Sequence, residues 1–437
     1  MDIIDNYRAT VLGTASNSTQ RKEHIVLLLG AGFSIDQGYP LAKNVGEGLL
    51  SLRKNNISFM PDGTLSYSNT IQKDTQEVCI RDTDYFQKIY LFLLDLIDTY
   101  AEIKRDSYFD YEEFYDAINL SVRNRINTKG LIFNILDEKY QNLASKYTDD
   151  FLTFEQLILR TPIMYNQIIA ELIKQKGNND YYYDDVDITA NCLPSYTNFI
   201  SWLKKESASN IIDVFTLNHD LFFESFKKVT ELKDEKNAKS LISDGYDDYG
   251  SDFFGVLEKD NTSYYCRLER FTGRHNTPIR LYKLHGSLDY VLCYKIAKCS
   301  QGLLAMPLKY IKTKRGLLPF EYYKSTRNKM KYESCLTDFS QSFLSGTISK
   351  TMHYSESYYR KLFDKFARCL QNTDRLVIIG YSGKDEIINK YLINHFNGKE
   401  KKCTIIDYAP EKPLNNLASK LNAQILKGKI NEQIVHV

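Results

Sequence analysis

Short continuous apolar runs recur along the chain between longer polar or amphipathic stretches. Ile25–Leu29, Ile211–Phe215 and Leu281–Leu284 are rich in branched side chains and end in turn-forming residues. Such runs are typical of strands buried on both faces of a parallel sheet. Near the C-terminus, Leu376–Ile379 and Cys403–Ile406 flank a helix-compatible stretch. This arrangement predicts a compact βαβ unit with a right-handed crossover.

The spacing of apolar residues becomes helical between about Tyr85 and Lys176. Thr153 and Gln156 form a candidate capping box at the start of one of these helices. Residues 230–275 are polar, and we expect them to be irregular.

Together these patterns predict an α/β fold, with a Rossmann-like parallel sheet flanked by helices and a large, mainly helical insertion. The sheet domain is discontinuous and comprises residues 1–50 and 201–437. The insertion comprises residues 51–200. A chain of 437 residues is long enough for two to three domains.

Composition limits which partners the protein can be expected to bind and indicates the cellular compartment in which it works. Lys and Arg number 57 against 55 Asp and Glu, a net charge of +2, so no strong field favours nucleic acid or a membrane surface. No apolar run approaches the roughly 20 residues of a membrane span, and the N-terminus has no secretory pattern. The eight cysteines include no CxxC pair. We therefore expect a reduced, cytoplasmic protein with no metal site and no zinc.

Clusters of Gly, Asn, His, Ser and Asp follow the ends of the predicted strands. Ligands of open α/β sheets bind beyond the carboxyl ends of the strands, so these clusters should meet in one crevice. The four segments are Gly30-Ala-Gly-Phe-Ser34, Thr216-Leu-Asn-His-Asp220, Lys283-Leu-His-Gly-Ser287 and Gly380-Tyr-Ser-Gly-Lys-Asp385.

The first segment has the composition of a phosphate-binding loop. Gly30 and Gly32 allow a tight turn, and free amides at the start of a helix would suit a pyrophosphate. The alternative is a purely structural turn. Ile35 stands where the dehydrogenase pattern GxGxxG has its third glycine, and no Gly-Lys-Ser/Thr follows, which excludes a P-loop.

The second and third segments carry the candidate reactive groups. Asn218 can hold a water or a ribose hydroxyl, and Asp220 can accept from a carboxamide; the alternative for this pair is an Asx turn that caps a helix. His285 is suited to accept a proton from a sugar hydroxyl or a water. For His219 we favour a packed histidine.

Two acidic residues complete the candidate site, and we expect both of them to contact the bound cofactor. Asp385 opens a helix and Asp407 ends a strand. A carboxylate at such a strand end can accept two ribose hydroxyls, and its charge disfavours a 2′-phosphate. The alternatives are a helix N-terminal carboxylate for Asp385 and a turn residue before Pro410 for Asp407.

In this order, the four segments resemble those of the SIR2-like (sirtuin-type) family. The resemblance implies NAD⁺ as the ligand and catalytic roles for Asn218, Asp220 and His285. It also implies contacts with the NAD phosphates and the adenosine ribose from the remaining positions, which are Gly30, Ala31, Gly32, Ser34, Gly380, Ser382 and Asp407.

Departures from the sirtuin deacetylases point to a different activity. The two CxxC pairs of their zinc module have no counterpart, and Gly38-Tyr-Pro-Leu-Ala-Lys43 replaces their Gly-Ile-Pro-Asp-Phe-Arg segment. The chain looks more like the SIR2-like effectors of bacterial anti-phage defence, which hydrolyse NAD⁺ beside a partner ATPase or nuclease-like protein.

The resemblance therefore leads us to expect an NAD⁺ glycohydrolase that releases nicotinamide and ADP-ribose and depletes NAD⁺. NAD⁺ would be its substrate, and we expect a homo-oligomer assembled through the helical insertion. Three alternatives remain: an NAD-dependent protein deacylase or ADP-ribosyltransferase, a non-catalytic sensor of NAD or ADP-ribose, and a scaffold.

Overall fold

A seven-stranded parallel sheet forms the centre of the protein. The computed structural model describes residues 22–54, 57–59, 65–67, 80–105, 109–119, 139–174, 193–248, 253–259, 262–299, 302–314, 333–343, 357–396 and 401–437. In spatial order the strands are β15 (Gln424–Lys427), β14 (Lys402–Asp407), β13 (Arg375–Ile379), β1 (His24–Leu29), β4 (Ile211–Thr216), β9 (Ile279–Lys283) and β5 (Ile242–Ser243). This sheet confirms the predicted fold class.

The strand order reverses beside β1. From β1 the chain proceeds to β4 and β9 on one side, and it later returns to β13, β14 and β15 on the other side. The last residue of β1, Leu29, lies opposite Ile379 of β13 and Thr216 of β4. The segments that follow these strands consequently leave the sheet side by side, at the position where open α/β sheets bind ligands.

Helices cover both faces of the sheet. Alternate residues of β1 belong to separate cores: Leu27 packs with the helices of the predicted insertion, and Leu28 packs with the C-terminal helices. The predicted capping box is confirmed, since the Gln156 amide donates to Thr153 Oγ1 and the Thr153 amide donates to Gln156 Oε1. The helices are α1 (Ala42–Leu50), α2 (Ile80–Ile103), α3 (Tyr111–Ile118), α4 (Phe154–Leu172), α5 (Thr197–Ser207), α6 (Phe222–Ser225), α7 (Ser357–Asn372), α8 (Glu386–His395), α9 (Lys412–Leu421) and α10 (Ile430–Gln433).

The described helices include none with the length and apolar content needed to cross a membrane. Strands β2 (Ile57–Phe59) and β3 (Leu65–Tyr67) pair as a short antiparallel hairpin ahead of α2.

A second sheet occupies much of the region expected to be irregular, so that prediction for residues 230–275 is wrong. Its strands are β6 (Tyr246–Asp248), β7 (Phe253–Lys259), β8 (Thr262–Phe271), β10 (Gly286–Cys299), β11 (Gly302–Lys314) and β12 (Glu333–Phe343). Their order is β11-β10-β12-β7-β8-β6, and β11 also pairs with β8, so five strands close into a ring. Charged residues such as Arg267 and Glu269 interrupt the apolar runs, because antiparallel strands need only alternate apolar positions.

A buried network of ion pairs joins the two sheets. Asp244 follows β5, and its carboxylate lies 2.8 Å from Lys227 Nζ and 2.7 Å from Lys312 Nζ of β11. Lys312 also lies 3.0 Å from Asp289 of β10. Burial raises the pKa of Asp244, but the two lysines outweigh it and hold this pKa far below the ordinary value.

Replacing Asp244 by Asn should destabilise the protein by about 3–5 kcal/mol at pH 7, because it leaves the buried Lys312 ammonium and the partly buried Lys227 ammonium without this carboxylate. The depressed pKa means that the wild-type contribution is present above about pH 4 and is lost as the pH falls further. Chemical denaturation of both proteins across this range measures the difference, which should shrink on acidification. The exposed pair of Asp98 with Arg53 provides the control, since Asp98→Asn should cost less than about 1 kcal/mol. Equal effects of the two variants would contradict the proposed importance of burial.

Candidate functional site

A cleft of about 1250 Å³ opens beyond the carboxyl ends of the central strands. It lies at the reversal of strand order, between the sheet, α1, the start of α3 and the start of α8. All of the residues predicted from the sequence to form the site line it: Gly30, Ala31, Gly32, Ser34, Asn218, Asp220, His285, Gly380, Ser382, Asp385 and Asp407. The structure thus brings the four segments together, and the roles of their residues stay predictions.

Three glycines allow the segments after β1 and β13 to touch backbone to backbone. The amide of Gly30 donates to Ile379 O at 3.0 Å, and the amide of Gly32 donates to Gly380 O at 2.9 Å. A Cβ on Gly30 would lie 2.6 Å from Gly380 O, and one on Gly380 would lie 2.4 Å from the Gly32 carbonyl carbon. Gly380 also has φ +60°, in the left-handed region. These glycines are required by this contact whether or not a ligand binds.

Most backbone amides of the first segment donate hydrogen bonds to other backbone groups of the protein, whereas the sequence led us to expect free amides. Gly30 and Gly32 donate as described, Phe33 donates to Gly30 O, and Ser34 donates to Ala31 O. The segment forms two short 3₁₀ turns before α1 begins. In the described part of the chain only the Ala31 amide of this loop lacks an acceptor, and Ala31 is exposed in the cleft. Among the backbone amides of this segment, the Ala31 amide is therefore the candidate donor to a phosphate.

Phe33 anchors the same loop in the core. Its ring packs against Tyr196, Phe199 and Phe222 with ring centroids 5.3–5.6 Å apart. The Tyr196 hydroxyl donates to Phe33 O. Because the aromatic cluster holds the backbone on one side and β13 holds it on the other, the loop is fixed before any ligand arrives.

The Ser34 hydroxyl connects the first segment to the second. It donates to Asp220 Oδ2 at 2.8 Å and accepts from Asn218 Nδ2 at 3.2 Å. Asn218 Nδ2 also donates to Gly30 O at 3.0 Å. Both protons of the Asn218 amide are then engaged, which leaves Oδ1 as its remaining hydrogen-bonding group.

Asp220 forms the Asx turn that the sequence offers as its structural alternative, and its contact with a ligand stays a prediction. Its Oδ1 accepts from the Phe222 amide at 3.0 Å, as an Asx turn requires, while Oδ2 accepts from Ser34. Burial raises the pKa of Asp220, and Lys283 and the two hydrogen bonds oppose that rise. Lys283 donates to Asp220 O and lies 3.0 Å from Glu224, so a buried ammonium holds this turn in place.

His285 occupies the two-residue link between β9 and β10 and is only 4% exposed. Backbone bonds fix the link, since Leu284 donates to Thr216 O and Leu288 donates to His219 O. Its Nε2 lies 3.5 Å from Asp385 Oδ2. The ring of His219, also buried, lies 6.2 Å away between centroids.

Asp385 caps α8, as the structural alternative expects. Its Oδ1 accepts from the amides of Ile387 and Ile388 at 2.9 and 3.0 Å. The same carboxylate faces His285 through its second oxygen. The neighbouring Ser382 is exposed in the cleft and accepts from the Lys384 amide at 3.4 Å.

Asp407 lies at the far end of the cleft. Its Oδ1 accepts from the Ala409 amide, and burial raises its pKa. Tyr408 beside it is 71% exposed, and sequence reasoning missed this residue although it directly follows the predicted ribose contact. Asp110, at the N-cap of α3, also lines the cleft, and no sequence signal identifies it because the insertion approaches the sheet only in three dimensions.

One group of described residues has donor atoms close enough for a metal ion: His24, Asp213 and Cys369. It lies at the start of β1, on the opposite edge of the sheet from the cleft. His24 and Cys369 contact the Asp213 carboxylate directly, and Lys365 Nζ lies 3.9 Å from it. Burial raises the pKa of Asp213, but His24 and Lys365 outweigh it and lower the pKa. Hydrogen bonds with His24 and Cys369 and the nearby charge of Lys365 thus engage the Asp213 carboxylate.

Of three comparisons with known proteins, the one with solved structures gives matches. No protein-family model and no curated protein match the sequence. A solved structure described as "Structural Basis for the Mechanism and Regulation of Sir2 Enzymes" is similar to this chain at 10% identity and a TM-score of 0.32. The match covers 95% of this chain and 90% of that chain.

The substitution Gly380→Ala should destabilise the protein by about 2–5 kcal/mol, because it combines left-handed strain with a backbone clash. Gly38→Ala is the matched control: its φ is +82°, but a Cβ there meets nothing within 4 Å. We expect the control to cost only about 1–2 kcal/mol. Equilibrium denaturation measures both, and equal costs would show that the contact between the two segments is unimportant.

Proposed function

We propose that this protein is an NAD⁺ glycohydrolase that cleaves the nicotinamide–ribose bond to give nicotinamide and ADP-ribose. The observation that carries the proposal is the convergence of Asn218, Asp220 and His285 in one cleft at the reversal of strand order. At about 1250 Å³ the cleft exceeds the roughly 300–1,000 Å³ of most small-molecule and cofactor sites, so it has room for a dinucleotide. The resemblance of the four segments to the SIR2-like family supports NAD⁺ as the ligand.

The proposed reaction breaks the C1′–N bond of the nicotinamide ribose and forms a bond from C1′ to a water oxygen. Such cleavage passes through an oxocarbenium-like state, as in glycoside hydrolysis. The electron pair of the broken bond neutralises the pyridinium, so nicotinamide leaves without a general acid. Catalysis then depends on orienting the ring, positioning the water and removing one proton.

Each candidate residue has a distinct part in this scheme. Asn218 Oδ1 accepts from the water or a ribose hydroxyl, because its amide protons already bind Gly30 and Ser34. Asp220 orients the carboxamide, since each of its oxygens can accept a further bond besides those that fix it. His285 accepts the proton lost by the water or the hydroxyl.

The rest of the cleft would hold the ADP half of NAD⁺. The Ala31 amide would donate to a phosphate oxygen, and Asp407 would accept from the adenosine ribose. Gly380 and Ser382 border the path between them. No residue of this scheme requires zinc.

The biological setting of the proposal comes from the family resemblance alone. It is NAD⁺ depletion in the cytoplasm of a bacterium under phage attack, by a homo-oligomer acting with an ATPase or nuclease-like partner. A deacylase or ADP-ribosyltransferase would release nicotinamide only with an acceptor present, and a sensor would bind NAD⁺ without consuming it.

Asn218→Ala and His285→Ala should each lower the rate of NAD⁺ consumption about 10²–10⁴-fold, because each removes a group that acts in the transition state. Chromatography of wild type and variants with NAD⁺ alone measures nicotinamide and ADP-ribose, which should appear in equal amounts from wild type. His395→Ala is the matched control, since His395 lies on α8 outside the cleft. A variant that keeps more than about a third of the wild-type rate would remove that residue from the mechanism.

The enzyme should prefer NAD⁺ to NADP⁺, and Asp407→Asn should reduce that preference at least about tenfold. The Asp407 carboxylate repels a 2′-phosphate, whereas an amide can donate to it. The ratio of kcat/KM for the two dinucleotides measures this. Asp374→Asn, at the opposite edge of the sheet before β13, should leave the ratio unchanged. Equal use of both dinucleotides by wild type would contradict the assigned place of Asp407.

A further inference from the structure

Asp385 holds its carboxylate in a fixed orientation beside His285. Two backbone amides of α8 bind Oδ1, which sets the plane of the carboxylate and directs Oδ2 toward His285 Nε2 at 3.5 Å. The imidazole is buried and the carboxylate side chain is 22% exposed. A carboxylate so shielded from water interacts more strongly with an imidazolium than a carboxylate at the surface would.

The loop that carries Asp385 is itself braced. The Tyr381 hydroxyl lies within hydrogen-bond distance of Asp385 O and Asn389 Oδ1, at 3.0 and 2.9 Å. Asn389 Nδ2 donates to Gly383 O at 2.7 Å. The backbone around Asp385 is thus tied to the first turns of α8, and the carboxylate has little freedom to turn away.

The neighbouring lysines have other partners. Lys384 Nζ lies 3.1 Å from Glu411, and Lys390 Nζ lies 4.0 Å from Glu386. Among the described ion pairs, Asp385 appears only with His285. Its second oxygen is therefore directed to the imidazole rather than to a competing cation.

We propose that Asp385 is a positioning residue that acts through His285, in addition to capping α8. A carboxylate 3.5 Å from Nε2 favours the tautomer that carries its proton on Nε2 and its lone pair on Nδ1, and it stabilises the imidazolium formed when His285 takes up a proton. This inference rests on the proposed hydrolysis for its effect on rate. It differs from the sequence interpretation, in which Asp385 contacts the cofactor.

The substitution Asp385→Asn separates the two functions of the carboxylate. Asparagine is as good an N-cap as aspartate, so α8 should keep its first turn and the melting temperature should stay within about 2 °C of wild type. The amide removes the negative charge and can present a donor to the ring nitrogen. We expect kcat for NAD⁺ hydrolysis to fall about 10²-fold or more, with KM within about threefold.

The matched control is Asp149→Asn. Asp149 also accepts from two backbone amides, those of Phe151 and Leu152 at 2.8 Å, and it lies outside the cleft. The kcat and KM of the Asp149→Asn variant should equal those of the wild-type protein. Asp385→Ala should lower both kcat and the melting temperature, because it removes the helix cap as well as the carboxylate beside His285.

A spectroscopic measurement tests the pairing without reference to turnover. Long-range ¹H–¹⁵N spectra of protein labelled at its seven histidines report the tautomer of each ring, and His285→Ala assigns the signal. Wild type should show the Nε2–H form at His285, and Asp385→Asn should change that signal while leaving His395 unaltered.

Three results would overturn the inference. An unchanged His285 signal in Asp385→Asn would show that the carboxylate does not orient the ring. A KM raised tenfold with kcat retained would make Asp385 a ribose contact instead, and rate and KM both near wild type would leave it only a helix cap. If wild-type protein consumes no NAD⁺, the proposed function fails, and the spectra alone then decide whether Asp385 positions His285.

Discussion

The contact between the segments after β1 and β13 is the constraint on which the cleft depends. Adjacent parallel strands in register bring their following residues to the same place, and here Leu29 pairs with Ile379. Only backbone fits between them, so Gly32 and Gly380 touch directly. Because this contact fixes the first loop, it also fixes Ser34, whose hydroxyl binds both Asn218 and Asp220. The positions of the reactive side chains thus follow from a packing requirement in the backbone.

Polar groups in the cleft are oriented largely by one another. The Ser34 hydroxyl, the Phe222 amide and the Lys283 ammonium together hold the Asp220 segment, and each of these bonds exists without a ligand. Burial makes ionisation of Asp220 less favourable, and Lys283 offsets part of that cost. A preorganised site of this kind loses little entropy when it binds a substrate.

Much of the parallel sheet could be predicted from the sequence, because fully buried strands are continuous apolar runs with polar residues at their ends. The meeting of the four segments followed from the same rule, since parallel strands end at one edge. The second sheet could not be predicted in this way, because charged residues such as Arg267 and Glu269 interrupt the apolar runs of its strands. The pairing of His285 with Asp385 depends on two segments a hundred residues apart, and only the fold shows that distance. The same holds for Asp110, which reaches the cleft from the insertion.

The position of His285 has a mechanical consequence. Its link is two residues long, with a strand of the parallel sheet on one side and a strand of the closed sheet on the other. The buried ion pair of Asp244 and Lys312 also joins the second sheet to the turn after β5. Because only two residues separate the two sheets here, a displacement of the closed sheet would also move the backbone that carries the imidazole. The alignment of the imidazole therefore depends on how the two sheets are joined at this link.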